Sequence, residues 1–280
     1  MQKTKLDYYD GKDLMEPNSL RIGASSIAGY YTYTSSFFKE LLHDDKGFTG
    51  STASVLGTCV HYCLETFIKG EALDTQEINL YLQNQSTIVE DLDINYIQQQ
   101  YPAMFVQAKN YLMSLDYEEA VAERFVMVEM RPGISIGGSI DLLVKAVDDS
   151  WIIIDYKTLS ANSVASMKYE YELQLLTYAN VLKKLGERVS MIRTVNITTN
   201  KTGRLGKNDK PLPDQPSKII VHEKVISSED WERIDAVFDL VPEAVETYIA
   251  NPQLRGIISQ DNRNKAIPCS YTPFINTEEI

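Results

Sequence analysis

The middle of the chain constrains the fold most strongly, because it predicts three strands that follow one another with short turns. Ala122–Met130 mixes Val, Phe and Met with charged residues, and Ile134–Val147 reads as a second, longer strand. Trp151–Thr158 begins with four apolar residues, which is typical of a short buried strand. The turn signals Arg131-Pro132-Gly133 and Asp148-Asp149-Ser150 separate the three strands. Because short turns join antiparallel neighbours, the segment predicts an antiparallel meander.

The third strand ends in a carboxylate and an ammonium, Asp155 and Lys157. They share one face, because residues two apart in a strand point the same way. A charge there is costly without a partner or a function, and a purely structural ion pair is the alternative. Asp141 lies on the preceding strand. If the turn has an odd number of residues, for example Asp148–Ser150, we expect Asp141 opposite Lys157 and diagonal to Asp155; an even number would place it on the other face.

Two carboxylates at a sheet edge form a site of hard oxygen ligands, which suits Mg²⁺ or Mn²⁺. Such a cation can lower the pKa of a bound water and neutralise charge on a phosphoryl transition state. An adjacent lysine can orient or deprotonate the attacking water, or stabilise negative charge. If Asp141, Asp155 and Lys157 converge, these residues indicate phosphodiester hydrolysis.

Helical patterns on both sides of the meander predict an α/β fold class with a mixed sheet flanked by helices. We expect an extended lead-in over 1–24, a single domain over 25–250 and an irregular tail over 251–280. The domain divides into a helical part (25–115), a core (117–226) and a C-terminal helix (228–250). Before the meander, helices are predicted over 25–42, with a break near Thr34, and over 55–69. Two more helices are predicted within 76–115, separated by a break at Tyr101-Pro102. After the meander, the predicted elements are a helix over 166–185, strands over 190–198 and 219–226, and a helix from Ser227 to Ile249 that is kinked at Pro242.

Composition restricts the classes of partner. The net charge of -12 argues against a protein that grips nucleic acid with a broad basic surface, so any DNA contact must be local. Positive charge is concentrated in a predicted mobile loop over 199–218, which includes Lys201, Arg204 and Lys207. Three cysteines argue against a disulfide framework and for a reducing setting. No apolar run is long enough to span a membrane, and the N-terminus lacks a signal-peptide pattern.

Four short segments, in a fixed order, carry a resemblance to a known family. They are GTCVHYCLE around His61, GGSIDLL around Asp141, IIDYKT around Asp155, and QLLTY from Gln174 to Tyr178. Together they resemble the PD-(D/E)XK nuclease superfamily and, within it, the RecB-like exonucleases, which include RecE-type and phage recombination nucleases. The resemblance covers residues 25–185 and implies a restriction-endonuclease-like core.

The resemblance implies a role for each matching position. His61, Asp141, Asp155 and the carbonyl of Tyr156 are implied as metal ligands, and Lys157 as the catalytic lysine. The implied cofactor is one or two Mg²⁺ or Mn²⁺ ions. Iron–sulfur members of this branch use four cysteines and this chain has three, so no iron–sulfur cluster is expected.

Three further positions are less specific. Glu129 resembles the extra acidic residue that some members carry before the aspartate, and we include it among the catalytic residues; a solvated strand residue is the alternative. Gln174 and Tyr178 resemble a Q-x-x-x-Y element near the DNA, although Tyr178 also fits the core. Without the other segments, His61 would be expected to pair with Glu65 on an exposed helix face.

The function that the resemblance implies is a divalent-metal-dependent DNA exonuclease acting on linear duplex DNA, in phage or prophage recombination or DNA processing. A ring-shaped homo-oligomer or a DNA-binding partner would retain DNA despite the acidic charge. A single-strand annealing protein is the implied partner, and the cytoplasm of a bacterial host the implied location. The alternatives are a nuclease-fold DNA-binding or interaction subunit with weak or no catalysis, and a metal-independent protein-interaction subunit.

Overall fold

The computed structural model describes residues 4–6, 19–32, 34–43, 50–159, 165–201 and 212–251. Within these residues the chain forms six strands and seven helices, and none of the helices is both long and apolar enough to cross a membrane. In chain order the elements are β1 (Leu20–Gly23), α1 (Ala24–Thr32), α2 (Thr34–His43), α3 (Thr52–Ile68), α4 (Thr75–Gln85), α5 (Ile94–Met113), β2 (Glu119–Arg131), β3 (Ile134–Lys145), β4 (Trp151–Leu159), α6 (Tyr169–Lys184), β5 (Val189–Thr198), β6 (Ile219–Val225) and α7 (Ser228–Ala250).

The six strands form one mixed sheet, in which β1, β3, β4, β5 and β6 are neighbours in that order and β2 pairs with β3. Strands β2, β3 and β4 are antiparallel, as their short turns predict. Strands β4 and β5 are parallel, and α6 provides the crossover that a parallel pair needs. The predicted α/β class with a mixed sheet is confirmed. Strand β1, parallel to β3 within the expected lead-in, was not predicted, because four residues are too few to show a period.

Helices cover both faces of the sheet, because its strands direct apolar side chains to both sides. On one face, Leu143 and Ile153 pack in a core with residues of α1, α2, α6 and α7. On the other face, Leu142 and Ile154 pack in a core with residues of α3, α4 and α5. The result is three layers, and it holds α3 and α6 against opposite faces of the central strands.

The turn between β3 and β4 decides where Asp141 lies. Lys145 pairs with Trp151, so the connection has five residues, an odd number as the converging arrangement requires. The expected pairing is nevertheless wrong: Leu142 pairs with Ile154, which brings Asp141 level with Asp155 and not opposite Lys157. The reason is that residues 146 and 147 leave the strand and join the turn, where the Ala146 N–H donates to the Ser150 carbonyl at 2.9 Å. The observed connection of five residues and the expected turn of three are both odd, so Asp141 still lies on the same face of the sheet as Asp155.

The break between α4 and α5 also differs from the expectation. It lies at residues 86–93, and Pro102 lies inside α5. A proline removes one helical hydrogen bond, but Ile97 and Met104, on either side of it, are fully buried in the core shared with α3, and this packing maintains the helix. The side chain of Asp93 caps the start of α5 by accepting the Tyr96 N–H at 2.9 Å. In the same way, α7 continues through Pro242.

Gly137 of β3 lies where the backbone of β2 approaches closely. A Cβ atom at this position would lie 2.2 Å from the carbonyl oxygen of Val126 and 2.7 Å from the Cα of Met127. We therefore expect Gly137→Ala to lower the free energy of unfolding by about 2–3 kcal/mol, because backbone cannot move aside as a flexible side chain can. Gly29→Ala is the matched control, because nothing lies within 4 Å of the added methyl group. This substitution in α1 should raise the free energy of unfolding by about 0.5–1 kcal/mol. Urea unfolding of the two variants tests whether one is destabilised and the other stabilised. Equal unfolding midpoints would contradict the close approach of β2 to Gly137.

Candidate active site

Strand β3 is paired differently along its two edges. Strand β2 follows one edge over nearly the whole strand, whereas the other edge pairs with β1 over residues 134–137 and with β4 over residues 142–145. Residues 138–141 therefore face no described strand on that edge. Ser139 and Asp141, within this gap, line a cleft of about 750 Å³, and most of its other lining residues come from β4, α3 and α6.

Helix α3 presents a polar stripe to the cleft. The residues of this stripe recur every three or four positions, which places them on one helix face; they are Ser54, Thr58, His61, Glu65 and Lys69. The helix begins with a capping box between Ser51 and Ser54. It approaches β4 closely at Gly57, where a Cβ would lie 3.2 Å from Thr158 Oγ1. The opposite side of α3 is apolar and includes the buried thiols of Cys59 and Cys63.

His61 faces the ends of β3 and β4. Its Nε2 lies 3.1 Å from the carbonyl oxygen of Tyr156, and its Nδ1 lies 3.6 Å from Asp141 Oδ2. Asp141 also contacts β4, because its Oδ2 accepts a hydrogen bond from the Tyr156 N–H at 2.8 Å. Glu65, the alternative partner of His61, instead forms an ion pair with Lys69. The imidazole, the carboxylate and the backbone carbonyl therefore meet at one place.

Asp155 and Lys157 form the ion pair that their spacing predicts. Lys157 Nζ lies 2.8 Å from Asp155, which is 3% exposed. Burial is the largest cause that raises the pKa of Asp155, Asp141 adds to it, and Lys157 opposes it. Burial alone would lower the pKa of Lys157, but Asp155 and Asp141 outweigh burial and raise it, so the ammonium keeps its charge at neutral pH.

Glu123 of β2 is an acidic residue of the site that the sequence did not predict. Its neighbours Ala122 and Arg124 pair with Leu142 and Ile140, so Glu123 lies across from Asp141. Its backbone has a φ of 50°, a left-handed conformation that costs a non-glycine residue about 1–3 kcal/mol and is typical of functional sites.

A hydrogen bond holds the Glu123 carboxylate in the cleft, and its surroundings raise its pKa. Its Oε2 accepts a hydrogen bond from Ser139 Oγ at 2.8 Å. Burial, followed by the charge of Asp141, raises the pKa of Glu123 to about 7. Glu123, Asp141 and His61 can each offer one ligand atom within 4.8 Å of the others. This is a set of two carboxylates and one imidazole, which a divalent cation can accept.

Glu129 does not lie at this site, contrary to the expectation. It is six residues further along β2, about 20 Å at ~3.3 Å per residue, and its carboxylate accepts the Gly133 N–H in the hairpin turn at 2.8 Å. The physical reason is that Glu129 lies beside the hairpin turn, where it pairs with Ser135, six residues before Asp141 on β3. A bulge in the same hairpin sets the residue that faces Asp141: Arg131 pairs with Ile134, so Met130 is an extra residue. Without that bulge, Arg124 would face Asp141, and no sequence pattern marks the bulge.

The sequence matches a known family over most of its length. The profile of the PD-(D/E)XK nuclease superfamily matches residues 26–274. The chain belongs to this superfamily. The cleft brings together Asp141, Asp155 and Lys157, the residues whose spacing resembles the signature of this superfamily. The resemblance in the four short segments is confirmed at the level of the superfamily.

Comparison with solved structures finds similar chains. A candidate exonuclease from Eubacterium rectale is similar, with a TM-score of 0.55 and 14% identity over 97% of this chain and 91% of that chain. An alkaline exonuclease from Laribacter hongkongensis is more distant, with a TM-score of 0.34 and 12% identity over 75% of this chain and 96% of that chain. No curated protein matched the sequence. The first of these likenesses shows that the two chains share a fold.

The residues of this PD-(D/E)XK cleft fit a divalent cation. His61, Glu123 and Asp141 supply nitrogen and carboxylate oxygen in one cluster. Asp155 adds a buried carboxylate beside this cluster, with both oxygens 2.8 Å from Lys157 Nζ. The three carboxylates raise the cost of one another's negative charge, since Asp141 raises the pKa of both Glu123 and Asp155, and a cation would offset that cost. The carbonyl of Tyr156, beside His61, is a further oxygen at the same place.

Of the described residues that were expected to bind DNA, two line the cleft and one does not. Gln174 and Tyr178 of α6 both line the cleft. Tyr178 also belongs to the core, and its hydroxyl lies 3.0 Å from where a Cβ on Gly138 would be. Lys201 lies away from the cleft lining, in an isolated bridge with Gln215. Arg204 and Lys207 lie outside the described residues.

Lys5, which was not predicted, lines the cleft from the N-terminal side. Its segment is fixed by Leu6, which is buried in the core of α3, α4 and α5, and by the Lys5 N–H, which donates to Glu77 at 3.1 Å. Its ammonium forms no ion pair with a described residue, unlike those of Lys69 and Lys157.

Proposed function

We propose that the chain is a divalent-metal-dependent deoxyribonuclease that removes nucleotides from the ends of linear duplex DNA. The observation that carries the proposal is the meeting of Asp141, Asp155 and Lys157 with His61 and Glu123 in one cleft of a PD-(D/E)XK fold. Carboxylates and an imidazole are a cation site, and a charged lysine beside them faces the position where a phosphate would bind.

In the proposed reaction, His61, Glu123, Asp141 and Asp155 would hold one or two Mg²⁺ or Mn²⁺ ions, and the Tyr156 carbonyl would be a further ligand. The bound ion supplies Lewis-acid activation of water and of the phosphate. Lys157 stabilises the negative charge that develops on the phosphoryl oxygens, since its ammonium is charged. Burial and Asp141 raise the pKa of Glu123 to about 7 when no cation is bound, and a cation bound there would favour its charged form.

The choice of DNA ends as the substrate rests on the similarity of this chain to a solved structure. The similar structure from Eubacterium rectale is a candidate exonuclease, and we extend that activity to this chain. Within the cleft, Lys5 and Gln174 are the groups that we assign to backbone phosphates. Because the net charge is -12, we also propose that a ring of subunits or a single-strand annealing partner keeps the enzyme on DNA during phage-type recombination in the cytoplasm.

The activity can be tested with end-labelled linear duplex DNA and the same sequence as a covalently closed circle. We expect mononucleotides or short products from the linear DNA in Mg²⁺ or Mn²⁺, intact circles, and no products in EDTA. Asp141→Asn should abolish the products. DNA that is bound but left intact with every metal would support the alternative of an inactive DNA-binding subunit. Cutting of the circle would contradict the exonuclease assignment.

A cation that binds this cluster should also stabilise the fold. In the absence of DNA, Mn²⁺ at 100 times its dissociation constant should raise the free energy of unfolding by about 2.7 kcal/mol. Asp141→Asn should remove most of this gain, since it weakens binding to the native state alone. Thermal unfolding with and without Mn²⁺ measures the effect. A wild-type protein whose melting temperature is indifferent to Mn²⁺ and Mg²⁺ would contradict the proposed site.

A further inference from the structure

We propose that Tyr171 is a positioning residue that holds the Lys157 ammonium over the face of its ring, so that the lysine stays aimed into the cleft. This inference rests on the proposed function, because it assigns Lys157 to the reaction. Tyr171 is in the first turn of α6, lies outside the four segments that resemble the family, and lines the cleft.

The geometry places the lysine between two elements. Lys157 Nζ lies 4.7 Å from the centroid of the Tyr171 ring, within the range of a cation–π contact. Lys157 Nζ also lies 2.8 Å from Asp155, on its own strand. One contact therefore comes from β4 and the other from α6. The Lys157 side chain is only 21% exposed, a setting in which a cation–π contact is stronger than it is in water.

A ring serves this purpose better than a second carboxylate. A lysine ammonium has three N–H donors on a flexible stem, and each acceptor nearby occupies one of them. The ring attracts the charge through its quadrupole and takes no strong hydrogen bond. Asp155 and Tyr171 together can therefore fix Nζ while a donor remains for a phosphate oxygen. Asp155 alone would leave the lysine held only by a partner two residues away.

The ring itself is held in place by the start of α6. The Tyr171 N–H donates to the Lys168 carbonyl at 3.1 Å. The next residue, Glu172, accepts a hydrogen bond from Lys224 at 2.8 Å and forms an ion pair with Arg233, which joins α6 to β6 and α7. Because these contacts cross three elements, the helix turn that carries Tyr171 is fixed relative to the sheet.

Two other roles for the ring are distinguishable from this one. A ring that stacks on a DNA base would contribute mainly to KM. A ring that only fills space would be replaced by leucine at little cost to turnover. Positioning of Lys157 predicts instead a loss in kcat that follows the negative potential of the ring face and disappears when the lysine is removed.

The test measures kcat and KM on linear duplex DNA with Mn²⁺ for Tyr171→Phe and Tyr171→Leu. We expect the Phe variant within about 3-fold of wild type, and the Leu variant about 3- to 30-fold lower in kcat with KM nearly unchanged, as a contact of about 0.5–2 kcal/mol implies. Phe analogues with one, two and three ring fluorines at position 171 should lower log kcat progressively. Tyr169→Leu is the matched control, since this exposed tyrosine of the same turn does not line the cleft.

A double-mutant cycle completes the test. In the Lys157→Met background, Tyr171→Leu should have no further effect on kcat. A readout independent of turnover is the carbon-13 spectrum of labelled lysine, in which a ring-current shift of the Lys157 side chain should survive Tyr171→Phe and vanish in Tyr171→Leu. A Leu variant with wild-type kcat, or fluorination without a trend, would overturn the inference and leave the nuclease proposal intact. A wild-type protein that cuts no DNA would overturn both.

Discussion

Lys157→Met should reduce kcat for DNA hydrolysis about 10²–10⁴-fold, the range found when a positioned charge or proton-transfer group is removed from an active site. Methionine keeps most of the length of the lysine stem but removes the ammonium beside Asp155. The effect should fall on kcat and kcat/KM together, because the charge matters most when negative charge develops on the phosphate. Single-turnover kinetics with saturating Mn²⁺ measures it.

Removing this ammonium also leaves Asp155 buried without its partner, so the folded protein should be less stable by about 3–5 kcal/mol without metal. A matched control is Lys183→Met. Lys183 also combines a carboxylate, Asp235 at 3.0 Å, with an aromatic ring, that of Trp231 at 4.8 Å, but it lies away from the cleft. Its loss should leave turnover within about 2-fold, because exposed ion pairs contribute little. Equal activities of the two variants would contradict a catalytic role for Lys157.

Glu123→Gln should reduce activity about 10²-fold or more, whereas Glu129→Gln should leave it within about 2-fold. The two residues lie on the same strand and the substitution is the same, but only Glu123 lies across from Asp141 in the cleft. Glutamine keeps the shape of the side chain and removes a carboxylate from the cluster, so the affinity for Mn²⁺ should fall as well. Metal titration of activity separates this loss of affinity from a loss of kcat.

The outcome of this pair tests which glutamate of β2 lies at the site. A large loss in Glu129→Gln, with Glu123→Gln near wild type, would contradict the position of Glu123, and not Glu129, across from Asp141. Similar losses in both variants would point to a general effect on the strand. Far-ultraviolet circular dichroism and the unfolding midpoint of each variant distinguish an effect on folding from an effect on the site.

Much of the sheet could be predicted from sequence because its signals are local. The apolar run of β4, the turn residues Arg131-Pro132-Gly133 and the helical stripe of α3 each depend on neighbours along the chain. The convergence of Asp141, Asp155 and Lys157 followed from one further fact, the odd length of a turn. The ion pair between Asp155 and Lys157 followed from their spacing alone.

What could not be predicted depends on contacts between distant segments. Glu123 enters the site only because Met130 is an extra residue in β2, and a bulge leaves no mark in the pattern of apolar residues. Tyr171 reaches Lys157 through the docking of α6, and Lys5 reaches the cleft through the burial of Leu6. Helix α5 continues through Pro102 because tertiary packing outweighs a local helix breaker.

The central claim is that this cleft holds a divalent cation, and anomalous scattering from crystals soaked in Mn²⁺ tests it most directly. We predict one or two manganese peaks within coordinating distance of His61, Glu123, Asp141 and Asp155, and their loss in crystals of Asp141→Asn soaked in the same way. Crystals of the wild-type protein that give no peak in the cleft at saturating Mn²⁺, or peaks only at other surface carboxylates, would contradict the account.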